Sequence, residues 1–466
     1  MNIFLILVFF AVFFAFTWRR IEQGISILVI ALPLYVVRFS LFGLPSTLLE
    51  GMILILFCVW LIQQHQKLKE KIQFFQMNTF LAGSIFLFVA ASCVSVFVAP
   101  HIYPALGLWR AYIFEPILFF LVFSDTIRTK EQMTRVIIAS IVSGCSIALY
   151  GIFQKITGFG IPDTWVLERR ITSIYPYPNA VGLYLAPIVM ICGALLIYLL
   201  SVIPAKVPDL STSIRAGINR NARGAGIHGL YKFFSKKYST IAVLSGALII
   251  LLAAIVFAKT EAALLALGVS GVIFGFFWSL RSRRATILFC VFAIFFISIS
   301  SPLVKIVDEK LFLKDWSGTV RKSIWKETLP MIRDNWILGA GLSGYQERIK
   351  PYHKTQGIEI FQYPHNIILN FWSEMGIVGL VAFEALVGWY FFILARALFI
   401  LRKTPAGDER SFLQALAFGC FFAMMTIVIH GLVDVPYFKN DLAVFFWMLM
   451  GLAVVVYTRT QEIKSS

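Results

Sequence analysis

Residues 239–258 read STIAVLSGALIILLAAIVFA, and beyond Lys259-Thr260-Glu261 residues 262–280 read AALLALGVSGVIFGFFWSL. Neither run carries a charge. Each has the length of the roughly 20 apolar residues that cross about 30 Å of hydrocarbon. A surface helix of a soluble domain keeps a polar face, and these runs have none. Two such runs joined by three residues decide the fold class. They are membrane-spanning helices that turn back on one another.

The same pattern recurs in both directions. The sequence predicts thirteen spans, at 2–17, 24–41, 46–62, 79–98, 109–124, 136–152, 180–203, 239–258, 262–280, 286–301, 376–395, 411–431 and 441–457. Hydrophobic residues make up 59% and charged residues 14%, against about 25% charged in a soluble domain. The expected fold is an all-α polytopic membrane protein. The net charge of +17 does not point to nucleic acid, because the basic residues sit between spans and not in an aromatic-interleaved basic domain. They read instead as topology signals. With the C-terminus cytoplasmic, the cytoplasmic segments hold 24 Lys and Arg, and the short outer segments seven.

Cys58, Cys93, Cys145, Cys192, Cys290 and Cys420 all fall inside apolar runs, as small buried hydrophobes. The run after Met1 lacks a basic lead and an A-x-A site, so it is expected to be a retained span. The segment 204–238, with seven basic residues, is expected to be a cytoplasmic surface loop. The segment 302–365 differs, with tryptophans in helical patterns, several glycines and both charge signs. The expected organisation is an N-terminal bundle of about ten spans (1–301), a helical extracytoplasmic subdomain (302–375) and the C-terminal spans with a cytoplasmic tail (376–466).

Polar residues that break the pattern are the candidates for chemistry. Gly339, Gly341 and Gly344 cluster after Trp336, a signal of a turn or a close backbone approach. His365 and Asn366 open the helix that leads into a span. Asn366, Asn370, Ser373 and Glu374 share one face of that helix, which must look onto protein or water because lipid cannot satisfy it. Arg169 and Arg170 stand on the outer side, against the charge bias. Arginine's planar fork suits a phosphate or diphosphate. Glu115 lies nominally inside a span, where an arginine partner is expected. His430 and Asp434 are one helical turn apart, as a structural pair or as cavity lining. No metal-ligand spacing, P-loop or Gly-x-Ser-x-Gly is present in the sequence.

Two stretches together resemble the O-antigen ligase and O-antigen polymerase superfamily. Arg170, Ser173, Tyr175, Pro178 and Asn179 are similar to its R-x-x-G-x-F-x-x-P-N, with Ser173 in place of Gly. Arg321, Trp325, Gly339, Gly341, Tyr345, His365, Asn366, Glu374, Gly376 and Gly379 are similar to its R-x-x-x-W, G-x-G and H-N-x-x-L-x-x-x-x-E-x-G series. Thr260 and Glu261 replace the family's Ser-Arg turn, with Lys259 as a substitute cation. Pro330 is expected to interrupt a helix that is continuous in relatives.

The resemblance implies a glycosyltransferase of GT-C-like architecture in a bacterial cytoplasmic membrane, with its site on the periplasmic face. The donor would be a glycan on polyprenyl (undecaprenyl) diphosphate. The acceptor would be lipid A-core in lipopolysaccharide biosynthesis for a ligase, or another lipid-linked repeat unit in polysaccharide biosynthesis for a polymerase. The transfer would be inverting and metal-independent, without a cofactor. Its expected catalytic residues are His365, Arg321 and Arg170. Arg169, Asn179, Tyr345, Asn366, Glu374, Gly339 and Gly341 would bind substrate. A transporter or flippase for lipid-linked sugars is the different-class alternative, and would place charge deep in several spans.

Overall fold

The computed structural model describes residues 3–41, 44–64, 79–201 and 220–465. Among them, ten helices are long and apolar enough to cross a membrane, and three shorter apolar helices accompany them. In chain order the helices are α1 (Ile3–Arg19), α2 (Ile21–Ile30), α3 (Leu48–Gln64), α4 (Thr79–Val98), α5 (Ile102–Thr126), α6 (Lys130–Thr157), α7 (Asn179–Ser201), α8 (Arg220–Phe257), α9 (Glu261–Trp278), α10 (Leu280–Ile299), α11 (Ser301–Leu311), α12 (Trp316–Asp334), α13 (Ile367–Lys403), α14 (Asp408–Gly431) and α15 (Asn440–Ser465). The chain is an all-α polytopic membrane protein.

Two helices define inside and outside. In α15, 89% of the apolar window is buried. It packs against α5, α13 and α14 at the centre of the bundle. In α10 the corresponding share is 0%, although its sequence is equally apolar in character. A helix that packs mainly on its neighbour α9, has no buried residue and presents an apolar surface suits lipid as its solvent. Between these extremes, α7 packs along α14 and α13 along α4.

Local signals set the helix ends. Thr129 and Gln132 form a capping box at the start of α6, and Gly158 closes it at φ 77°. Asp315 caps α12 by accepting from Gly318 N. A π turn at Arg110–Phe114 lies within α5.

Three expectations are corrected. The span at 24–41 is helical only to Ile30. Pro33 lacks an amide hydrogen, so the chain continues as a 3-10 turn, Leu32–Val36. It then forms a hairpin of β1 (Arg38–Leu41) and β2 (Leu44–Thr47), in antiparallel register. The basic segment at 204–238 is not all loop. Residues 220–238 belong to α8, and 204–219 lie outside the described residues. Pro330 does not interrupt α12, because it falls within the last turns of a continuous helix. Met331 and Ile332 near the end of α12 form a small core with Ala340, Tyr345 and Ile349 beyond it, and Leu369 and Trp372 pack against that core.

Candidate functional site

The turn between α14 and α15 reads LVDVPYFK over residues 432–439, and it collects partners from across the chain. The Leu432 carbonyl accepts from Asn366 Nδ2 at 3.0 Å. The Val433 carbonyl accepts from Arg321 Nε at 2.9 Å. Asp434 Oδ2 accepts from Asn179 Nδ2 at 3.3 Å, and Oδ1 faces His365 Nδ1 at 3.5 Å. Just beyond the turn, Asp441 accepts from the Tyr175 hydroxyl at 3.1 Å and Asn440 donates to Glu50 at 3.3 Å. Segments separated by hundreds of residues therefore meet at one end of the bundle. At the other end, Lys130 and Tyr198 hold Asp408, and Arg459 holds Glu409.

The histidine is aimed by its surroundings. Trp325 Nε1 donates to the Pro364 carbonyl at 2.9 Å, which fixes the residue before it. His365 itself sits at φ 50°, an unusual backbone state for a non-glycine residue. Phe361 meets its ring edge-on at 5.2 Å. The imidazole stays partly open, with its side chain 28% exposed. Asn366 next to it caps α13 by accepting from Leu369 N.

Asp434 is the buried member of this group. Burial favours its neutral form. The His365 contact, the charges of His365 and His430, and the Val435 amide outweigh burial and hold the carboxyl below its usual range. His430 Nε2 is also buried and has no hydrogen-bond partner.

The structure divides the expected site residues into groups. His365, Asn366, Arg321 and Asn179 converge on the 432–434 turn. Arg170 anchors elsewhere. Its guanidinium donates to the carbonyls of Ala258 (3.2 Å) and Lys259 (3.4 Å) and stacks 4.8 Å from the Trp165 ring centre. Burial lowers its pKa, opposed by Glu168 and Glu261. Lys259, the expected substitute cation, pairs with Glu168 at 3.3 Å. Arg169 is exposed at φ 46°.

Gly339, Gly341, Tyr345 and Glu374 are placed in packing roles. A Cβ on Gly339 would stand 2.5 Å from the Ser373 carbonyl oxygen, and one on Gly341 would stand 2.4 Å from Ala99 N. Tyr345 is buried and shares a hydrogen bond with Thr328 at 2.7 Å. Glu374 is fully buried and its Oε2 accepts from Ser343 N at 2.5 Å. The polar face of α13 therefore looks onto protein, and its carboxylate clamps the glycine turn. Glu115 finds its arginine, with Arg110 Nε at 3.4 Å, and the same guanidinium reaches Glu50 at 2.6 Å.

In the sequence Asp434 stands with His430 as either a structural pair or cavity lining, and Lys439 is not singled out. The available signal was the run of Asp434, Lys439, Asn440 and Asp441 between two apolar helices. Lipid cannot satisfy such groups, so each needs a protein or ligand partner. Lys439 Nζ is closed off from solvent, stands 4.2 Å from the Tyr177 ring centre and 5.1 Å from that of Tyr175, and has no hydrogen-bond partner. Burial lowers its pKa to about 8, partly offset by Asp441 and Asp434. Among the described residues, no three His, Cys, Asp or Glu side chains gather as a metal site.

Residues 246–383 match the family model described as O-antigen ligase. Over this stretch the chain is similar to the O-antigen ligase and polymerase superfamily. The matched stretch runs from α8 into α13 and contains Arg321, Gly339, Gly341, Tyr345, His365, Asn366 and Glu374. Arg170, Asn179, Asp434 and Lys439 lie outside it. No curated protein matches the chain.

Proposed function

We propose that this protein moves a glycan from a polyprenyl-diphosphate carrier to an acceptor hydroxyl, as an O-antigen ligase does with lipid A-core, on the outer face of the cytoplasmic membrane. The observation that carries the reading is the meeting of His365, Asp434, Asn179 and Arg321 on one turn at one end of the bundle. The charge count supports that end as extracytoplasmic. The opposite end carries the larger share of Lys and Arg, as the positive-inside rule requires.

In this reading, Asp434 receives Nδ1–H of His365 and leaves Nε2 as the base. Nε2 takes the proton of the acceptor hydroxyl as its oxygen bonds to the anomeric carbon. The bond from that carbon to the diphosphate oxygen breaks, and its electron pair leaves with the diphosphate. Attack from the opposite face inverts the anomeric centre. Arg170 and Arg321 offset the charge that grows on the leaving group, a task their planar forks suit. The apolar bundle accommodates the prenyl tail.

A transporter reading is less well supported. Glu50 and Glu115 share Arg110, and Asn440 joins Glu50 to the same end of the molecule as the site. These charges do not trace a path through the bundle.

Gene deletion with analysis of the glycans tests the proposal. Lipid-linked polymer that accumulates beside a bare acceptor is the expected result. Single repeats without long chains would show a polymerase. Unchanged glycans would refute both. Loss of transfer on chelation with EDTA would refute the metal-independent step.

A further inference from the structure

Among the described residues, Lys439 is the lysine whose ammonium nitrogen is buried without a hydrogen-bond partner. It precedes α15, five residues after Asp434 and two before Asp441. Both carboxylates are already committed. Asp434 receives His365, Asn179 and the Val435 amide. Asp441 receives the Tyr175 hydroxyl and the Leu442 amide. The Tyr175 and Tyr177 rings supply cation–π attraction, but a ring face accepts no ammonium hydrogen bond of full strength. A lysine head carries three donors and no acceptor, and burying it without an acceptor is unfavourable. The arrangement lacks one component, an anion.

Tyr177 stands where that anion would arrive. It lies between Pro176 and Pro178, within the same segment as Arg170 and Asn179, and is 38% exposed although its ring overlies the ammonium. The two prolines stiffen the backbone, so the side chain is the part free to turn.

We propose that the Lys439 ammonium is a third cation of the site, uncovered when the Tyr177 ring rotates, and that it takes an oxygen of the donor's diphosphate. This rests on the reading above that the donor leaves as a diphosphate. It assigns the lysine to the leaving group and not to the acceptor, because the rings and the committed carboxylates leave only an anion to complete it.

The test uses the full chain in detergent micelles, with geranylgeranyl diphosphate as probe and geranylgeraniol as its uncharged control. Wild-type protein is expected to prefer the diphosphate. Lys439→Met keeps the stem and removes the charge, and is expected to weaken diphosphate binding about tenfold or more, with the alcohol unaffected. Diphosphate binding at wild-type strength in Lys439→Met would overturn the lysine's role alone. Wild-type protein that does not prefer the diphosphate would overturn the donor reading as well. Reductive methylation of the wild-type protein, read by mass spectrometry, covers the case in which the variant fails to fold. Lys439 should label slowly, label faster in Tyr177→Ala, and be protected by the diphosphate but not by the alcohol. Labelling that ignores the diphosphate would overturn the proposal.

Discussion

His365 Nδ1 faces Asp434 Oδ1 at 3.5 Å, across 69 residues of sequence and between two different helix ends. The carboxylate is buried and charged, while the imidazole edge stays partly open. In the proposed mechanism this contact favours the tautomer with the proton on Nδ1 and the lone pair on Nε2. The separation is at the long limit for a hydrogen bond, and catalytic contacts commonly tighten once substrate is bound.

That relationship sets the first prediction. His365→Ala should abolish glycan transfer, and Asp434→Asn should lower kcat by about 10²- to 10⁴-fold, the range expected for general-base catalysis. Membrane abundance should hold in both, since the imidazole is half-buried and Asn retains the volume at 434. Transfer assays on membranes with matched protein levels check it. A fully active Asp434→Asn would show that the aspartate does not orient the base.

Arg321 and Arg170 separate into two tests, because they are anchored differently. Arg321 donates Nε to the Val433 carbonyl. Lysine has no Nε to spend, so Arg321→Lys should lose the anchor and the fork together and raise the donor KM several-fold or more. Arg170→Lys should lose the contacts to Ala258 and Lys259 as well as the stack on Trp165. Initial rates against donor concentration distinguish a KM effect from a kcat effect.

The spans were legible because lipid imposes a length and an apolarity that need no periodicity. Pro33 was the visible reason for α2 to stop, yet the apolar run continued through the 3-10 turn and the hairpin and hid it. At the site, His365, Arg321, Arg170 and Asn179 could be read one by one as polar groups where lipid tolerates none. Their meeting point could not. It is the 432–439 turn, and no local pattern records that Asn179 and His365 share one carboxylate. Glu374 shows the reverse limit. Its helical face correctly predicts protein around it, but its partner is the Ser343 amide, created by the glycine turn and visible only in three dimensions.

The glycine turn supplies a stability prediction that contrasts with the catalytic ones. Gly341 sits at φ 83° against Ala99, and Gly376 at φ 67° against the Ile337 carbonyl, where an added Cβ would fall at 1.9 Å. Neither neighbour is a flexible side-chain end. Gly341→Ala and Gly376→Ala should each destabilise by about 2 kcal/mol or more, with positive φ and backbone overlap acting together. Thermal unfolding in detergent should show the loss in melting temperature. Glu374→Ala should join them, since it leaves a buried amide unpaired at about 1–3 kcal/mol.

Lys439 yields a pH prediction in which stability and binding move in opposite directions. Burial lowers its pKa from 10.5 to about 8, against the pull of Asp441 and Asp434. Below about 8 the amine is charged in folded and unfolded chains alike, and the folded state bears the whole cost of burying it. Between about 8 and 10.5 the folded chain has released a proton that the unfolded chain still holds. Stability without ligand should therefore rise as pH climbs through that window. Diphosphate binding should fall over the same window as the cation disappears. Tyr175 and Tyr177 have pKa values raised by burial and nearby carboxylates, so they stay neutral there, and Asp434 stays charged. Lys439→Arg should hold its charge throughout and flatten the fall in binding. Melting temperatures and probe affinities measured from pH 7 to 10 on both proteins decide the matter. A wild-type affinity that does not change across the window would show that the ammonium makes no contact with the leaving group.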